Sequence, residues 1–381
     1  MTRVLVLDGS QRKSLAAVRS LAANGHHVLV ADSKRLSLAG SSRFSSRTVR
    51  LPPADEPDYL EFLAALTERE SIDVVLPTDD QSMGALAGQR VIGRAALLTP
   101  SKDGFAMARD KRATVELAVR LGVDVPRTES PVSEAAARDV IESFPLPALV
   151  KPRESSGARG IVYAEDRDTL RAGYSAVQAR YPSPLVQEWV RPIVRKTHVA
   201  MLTLDGRVLA SFTQRVIREW PVGGGVGTLW QSVRDDAAID VTQRLLEAVR
   251  FTGVTLTEYV YTNTRGPVLM EVNPRFWNTL VLAIACGVDF PSLTVAAALG
   301  KPMEGPRDWP VDKVGQWLVP GDLLNFAFNP RRFRQSIGYL PLGPRSHAIW
   351  RSDDPVPLIT MLLIIARGAF SPRMWRYAFR R

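Results

Sequence analysis

The chain has 381 residues, 45% of them hydrophobic, enough for a large core and two or three domains. A single cysteine, Cys286, excludes an intramolecular disulfide and a two-cysteine metal site, and the N-terminus MTRVLVLDGSQRK lacks a secretory apolar run, so a reducing, cytoplasmic protein is expected. The net charge of +10 is concentrated in residues 331–381, where ten arginines stand against two aspartates; no reader motif accompanies them, so nucleic acid is not an expected partner.

In chain order, RVLVLD reads as a buried strand, SLAAVRSLAANG as a helix ending at Gly25, and HHVLVAD as a second strand, the β-α-β opening of a parallel α/β sheet. YLEFLAALTERES is the next helix and IDVVLPTDD the next strand, with closure near AALLTPS. Asp32 ends the second strand where a ribose-binding acid would sit, but the first turn, DGSQRKS, lacks the glycines of a dinucleotide site. Asp79 and Asp80 lie at a strand's carboxyl end, where ligand contact and simple solvation are equally expected. DGFAMARDKRATVELAVRLG is helical. PLPALVKPRESSGARGIVYAED then gives a short strand ending at Lys151, a small glycine-containing loop and a second strand. Such a lysine and loop suit a polyanion, although an ordinary turn has the same composition. PLVQEWV is another strand, HVAMLTLDGRVLASFTQRVI a hairpin, PVGGGVGT a mobile loop or lid, and AIDVTQRLLEAVRFTG an amphipathic helix. The C-terminal PVPLITMLLIIA is too short for a membrane span of roughly 20 residues. It is expected to pack on the core with an arginine rim, the alternative being an anionic membrane surface.

VTLTEYVYTNTRGPVLMEVNP reads as a hairpin turning at NTRG. A turn centred between Thr264 and Arg265 sets Glu258 directly across from Glu271, with Cβ atoms about 5 Å apart. Glu271 and Asn273, two residues apart, share a face. Two carboxylates and an amide oxygen on one spot are hard ligands, suited to Mg²⁺ or Mn²⁺ shared with phosphates, and Arg275 would face the anion such an ion carries. A one-residue slip would send one glutamate to solvent.

Lys111 in ARDK, Lys151 in LVKP with SSGARG, VQEWV, Glu258 in LTEY and MEVNPRFWNT occur in an order that resembles the ATP-grasp superfamily from about residue 100 to 300. RVIREWPVGGGVGT resembles bacterial carboxylate–amine ligase-like members. The resemblance implies an α/β and α+β chain. Residues 1–105 would form a Rossmann-like pre-ATP-grasp domain. Residues 106–190 would form the small ATP-grasp subdomain with the phosphate loop, 191–305 the large subdomain with the metal site, and 306–381 a basic C-terminal extension. It implies ATP as cosubstrate, with phosphates held by Lys111, Lys151, Ser156, Gly157 and Gly160, and the base by Gln187, Glu188 and Val190. Glu258, Glu271 and Asn273 would hold magnesium. Arg275, Arg215 and Arg218 would act on the γ-phosphate or substrate carboxylate. The implied reaction joins a small-molecule carboxylate to an amine through an acyl phosphate, releasing ADP; a kinase, a ligase with a non-amine acceptor, and a non-catalytic nucleotide-binding module are the alternatives. Many relatives are dimers, so a homodimer is expected. Arg195, Lys196 and His198 replace the Gly/acidic stretch that follows the hinge in many members, which suggests an anionic acceptor.

Overall fold

A computed structural model describes residues 1–155, 159–340 and 343–369. Ser156 and Gly157, expected in the phosphate loop, and the last twelve residues of the basic tail lie outside them.

The N-terminal sheet comprises β1 (Arg3–Val6), β2 (His27–Asp32), β3 (Arg47–Arg50), β4 (Val74–Leu76), β5 (Val91–Ile92) and β6 (Ala95–Ala96), in the order β3-β2-β1-β4-β6-β5. All neighbours are parallel except β5 and β6. The central strands are near-continuous apolar runs because both of their faces are covered. Val4, Val6, Val28 and Val30 pack with Leu15 and Val18 of α1 (Arg12–Ala23). The alternate residues Leu5, Leu7 and Leu29 pack with Leu63 and Leu66 of α2 (Tyr59–Arg69). Successive strands run to either side of β1, so a crevice opens at the carboxyl ends of β1 and β4. α3 (Asp80–Leu86) starts there.

The helical stretch after residue 101 is two helices, α4 (Lys102–Arg109) and α5 (Lys111–Arg120). Asp110 separates them in an extended conformation, and its carboxylate caps α5 by accepting from the Arg112 amide at 3.0 Å. A four-stranded sheet follows, built from β7 (Thr128–Glu129), β8 (Ala148–Lys151), β9 (Val162–Ala164) and β10 (Leu185–Glu188) in the order β7-β10-β8-β9. α6 (Glu134–Ser143) and α7 (Arg167–Gln178) cover it.

The largest sheet has seven strands: β11 (Arg195–Leu204), β12 (Arg207–Trp220), β13 (Val226–Val233), β14 (Gly253–Tyr261), β15 (Val268–Asn273), β16 (Val314–Gln316) and β17 (Arg345–His347), ordered β15-β14-β11-β12-β13-β16-β17. The DG turn of its first hairpin holds Asp205 and Gly206 at φ 54° and 82°, the left-handed pair a two-residue turn requires. One face of the sheet packs on α8 (Asp236–Ala248). The other shares a core with α1, α9 (Leu280–Ala285) and α10 (Phe290–Ala298). The glycine-rich PVGGGVGT is only partly loop, because β13 begins inside it at Val226. A Cβ on Gly225 would lie 2.1 Å from the Trp220 carbonyl carbon, and one on Gly227 2.1 Å from Trp230 Nε1. These glycines permit close packing as much as motion.

Strands β16 and β17 come from the C-terminal extension, which is therefore woven into the large sheet. Two buried ion pairs tie it down. Arg218 on β12 binds Asp322 through Nε and Nη2 at 2.8 and 2.5 Å, just before α11 (Leu323–Phe328). Arg19 on α1 binds Asp354 at 2.9 Å, just before α12 (Val356–Ala369). Helix α12 packs Leu358 and Met361 on the core and exposes Val356, Ile359, Leu362 and Leu363, so only one of its faces is covered. No helix among the described residues is long and apolar enough to cross a membrane.

The Arg218–Asp322 side chains are 1% and 0% exposed. Removing one partner strands the other charge, so Asp322→Ala should cost about 3–5 kcal/mol in chemical denaturation, whereas the paired replacement Arg218→Met with Asp322→Leu should cost far less.

Candidate nucleotide and metal site

Strands β14 and β15 pair antiparallel with Glu258 directly opposite Glu271. The register shifts just beyond Glu258, before Tyr259 pairs with Leu269; the turn is therefore centred one half-step earlier than between Thr264 and Arg265, and this bulge is what brings the two glutamates opposite each other. His198 on β11 is the next cross-strand neighbour of Glu258, with Nε2 3.7 Å from its carboxylate. The two glutamate side chains keep 34% and 24% exposure toward the cleft. Asn273 bridges them, its Nδ2 donating to Glu258 at 3.3 Å and Glu271 at 3.1 Å. Burial, and then the charge of Glu271, push the Glu258 carboxyl up to about 8. Glu271 is also penalised by burial, but Lys111, the Asn273 amide and Lys151 hold it below the ordinary carboxylate range.

Three cations face this pair. Lys111 opens α5 because Asp110 breaks the preceding helix; its Nζ lies 3.4 Å from Glu271 and donates to the Ser155 carbonyl at 2.8 Å. Arg153, two residues beyond Lys151, binds the Asp110 carboxylate through Nε at 3.0 Å, which ties the end of β8 to the helix break. Lys151 ends β8 only 5% exposed; burial and the nearby Lys111 lower it to about 7. Arg275 follows β15, donating to Asn273 Oδ1 at 3.1 Å and to the Phe276 carbonyl at 2.9 Å. Its Nε lies 3.1 Å from Asp80 and 4.0 Å from Asp79 of the N-terminal sheet. A cavity of about 10 Å³, the size of one water, lies among Asp80, Arg109, Lys111, Glu271 and Asn273.

The donor set fits a hard divalent cation. Two carboxylates are forced together, an amide sits between them, and only a positive charge lets both ionise. Among the described residues no three His, Cys, Asp or Glu side chains form a metal cage. An ion here would complete its shell with phosphate oxygens and water, as magnesium commonly does.

The remaining expected residues divide. Gly160 sits at φ 78°, and a Cβ there would meet Pro152 and Tyr181 at 2.9 Å, so no side chain fits. Val190 packs with Val260, Val268 and Met270 in a small buried apolar cluster. Gln187 is 1% exposed and donates to Thr128 at 2.7 Å, while the Glu188 carboxylate is held by Arg265 at 2.9 Å and by the Arg127 amide at 3.0 Å. Their side chains are therefore engaged within the protein. Arg215 does not reach the site. It pairs with Thr197, one residue from the His198–Gln214 pair, and so stands on the opposite face of the sheet, donating to Gln231 at 2.8 Å. Arg218 does not reach it either, being consumed by Asp322. Arg195 and Lys196 are also spent, on Asp235 at 3.1 Å and Glu219 at 2.7 Å, which removes the basis for reading them as an anionic-acceptor site.

The N-terminal sheet supplies groups beyond the expected set. Asp79 and Asp80, for which ligand contact and solvation were equally expected, bracket Arg275. Lys13, overlooked in the first helix, is 1% exposed and binds Asp79 at 2.6 Å. The glycine turn reaches across the cleft, where a Cβ on Gly224 would lie 3.0 Å from Tyr163 Oη on β9.

Comparison with known proteins agrees with this architecture. Residues 198–316 match the family model described as ATP-grasp in the biosynthetic pathway with Ter operon, and residues 4–95 match the PylC-like N-terminal domain. Residues 198–316 thus carry an ATP-grasp domain. The chain is 28% identical over 174 residues to a probable alpha-L-glutamate ligase of Teredinibacter turnerae, covering 44% of the chain and 56% of that relative. It thus spans little more than half the length of that relative. It is 27% identical over 300 residues to a D-alanine–D-alanine ligase of Mycobacterium ulcerans, covering 68% of the chain and 74% of the relative. A biotin carboxylase structure from Campylobacter jejuni, in complex with a nucleotide described as beta-gamma-ATP, superposes with a TM-score of 0.67 at 14% identity, covering 82% and 74% of the two chains.

Burial and the neighbouring charge of Arg275 lower Lys13 to about 8, against an ordinary value of 10.5. Between these values the unfolded chain binds more protons than the folded one, so stability rises with pH. Urea denaturation at the two ends of that window should show this rise in the wild type and a smaller one in Lys13→Met.

Proposed function

We propose that the protein is an ATP-dependent, ADP-forming ligase that joins a small-molecule carboxylate to an amine through an acyl phosphate. The observation that carries the reading is the convergence of the opposed Glu258 and Glu271 with Lys111, Lys151 and Arg275 in one cleft. The names of the matched relatives, a glutamate ligase and a D-alanine–D-alanine ligase, support it.

In this reading the carboxylate attacks the γ-phosphate, ADP leaves, and the amine then displaces phosphate from the acyl phosphate. The protein's work is positioning and charge neutralisation. Lys111 and Lys151 take the phosphate charge; Lys151, lowered toward neutrality by burial and Lys111, regains its full charge when phosphate arrives. Arg275 faces the transferring group from the end of β15. Glu258, Glu271 and Asn273 would hold Mg²⁺ or Mn²⁺, which when bound supplies charge neutralisation at the phosphates. The glycine turn beside Tyr163 is placed to close over the cleft and exclude water. A cytoplasmic homodimer belongs to the same proposal.

The test is nucleotide product analysis with Mg-ATP, pooled amino acids and other small carboxylates, with and without amines. ADP and phosphate should form only with both partners, and Glu271→Ala should lower the rate by at least about 100-fold. AMP and pyrophosphate as products would overturn the mechanism.

We further propose that the exposed face of α12, beside the basic tail, contacts an anionic membrane surface. The intact protein should then co-sediment with phosphatidylserine vesicles, less so after Leu362→Glu, and equal sedimentation of both proteins would remove the assignment.

A further inference from the structure

The carboxyl ends of β1, β2 and β4 enclose a second cavity, of about 80 Å³, that the reaction above does not use. It lies at the crevice where strand order reverses, the place where open parallel sheets hold ligands. Its walls include Asp8, Asp32, Asp79, Tyr59 and Lys34, the last being the only cationic residue among those that line it.

Two of these acids have oxygens to spare. Asp8 leaves β1 at φ 58°, a conformation a residue with a side chain keeps only when its surroundings impose it. The amides of Thr78 and Asp79, at 3.0 and 2.8 Å, and the hydroxyls of Thr78 and Ser82, at 3.2 and 2.6 Å, all donate to its Oδ2. That crowding leaves Oδ1 for an occupant of the cavity. Asp32 is 6% exposed; its Oδ1 accepts from the Lys34 amide at 2.9 Å, the amide and hydroxyl of Ser10 also stand close enough to favour its ionised form, and no hydrogen bond of good geometry reaches Oδ2. A buried carboxylate oxygen without a donor is costly. Burial pushes both carboxyls up, so each gains from a positive neighbour. Asp79 is already compensated by Lys13 and Gln11. Tyr59, 4% exposed, supplies an aromatic wall.

We infer that this crevice is a second ligand site, for a small organic cation whose primary ammonium is held between Asp8 and Asp32. An ammonium brings three N–H donors and one charge to two acids with free oxygens. A carboxylate or phosphate would meet like charge there. The occupant would sit beside the nucleotide cleft, because Asp79 lines this cavity and also lies 4.0 Å from Arg275. The inference stands independently of the ligase reading.

Isothermal titration of the full-length protein tests it with three ligands of equal chain length: putrescine, butane-1,4-diol and succinate. Putrescine should bind at least about tenfold tighter than the other two. Asp32→Asn should lose about tenfold or more, and Ser33→Lys, which tethers a competing ammonium in the same wall without removing an acid, should lose as much. Glu271→Ala should bind putrescine as the wild type does, which separates this crevice from the acidic pair of the nucleotide cleft. Diol binding equal to putrescine, loss in Glu271→Ala with retention in Asp32→Asn, or no putrescine binding at millimolar concentration would each overturn the assignment.

Discussion

The opposition of Glu258 and Glu271 across an antiparallel pair is the constraint around which the cleft is arranged. Like charges in that position destabilise a sheet unless something neutralises them. Every other feature of the cleft answers that demand. Lys111 reaches the pair because a helix stops at Asp110; Lys151 reaches it because β8 ends there; Arg275 is steadied from a different sheet by Asp79 and Asp80. The protein alone only half solves the problem, since Glu258 remains inclined to keep its proton. Under the proposed function, a divalent ion arriving with a nucleotide would complete the neutralisation.

Much of this was legible in the sequence, for reasons of local geometry. The strand period of two and a turn at NTRG suggest the opposition, but the turn-side pairs Tyr259–Leu269 and Val260–Val268 would by themselves set Glu258 against Met270; the bulge, which the sequence does not announce, moves the register by one and brings Glu258 opposite Glu271. Lysines at the ends of short elements were legible, since element ends point into clefts. The arginines were not. Arg215 is on the wrong face by one residue, a parity that depends on knowing its cross-strand partner. Arg218 is claimed by Asp322, more than a hundred residues away, and no local pattern announces such a contact. Lys13 escaped notice because a lysine in a first helical turn is ordinarily solvated; its burial follows from the packing of one sheet against another. The glycine-rich stretch suggested motion, yet two of its glycines serve close contact with Trp220 and Trp230.

The resemblance to ATP-grasp proteins and the geometry reach the same architecture by different routes. They differ over Arg195 and Lys196, which depart from the usual pattern and looked functional in the sequence. In the folded chain both are paired with acids on neighbouring elements, so neither is free to hold an acceptor, although the charge of Lys196 still favours the ionised form of Glu258.

The buried bond between Arg19 and Asp354 joins residues 335 positions apart. On a ribosome the first βαβ unit emerges long before Asp354 is made, so α1 carries an unpartnered guanidinium on its packing face for almost the whole of synthesis. The N-terminal sheet cannot reach its final burial until the segment from Ile349 to Asp354 is released and docks. Burial of α1 is therefore completed by a segment 335 positions further on, and a chain stalled or cut before residue 354 would present an open charge where the folded protein has a sealed core.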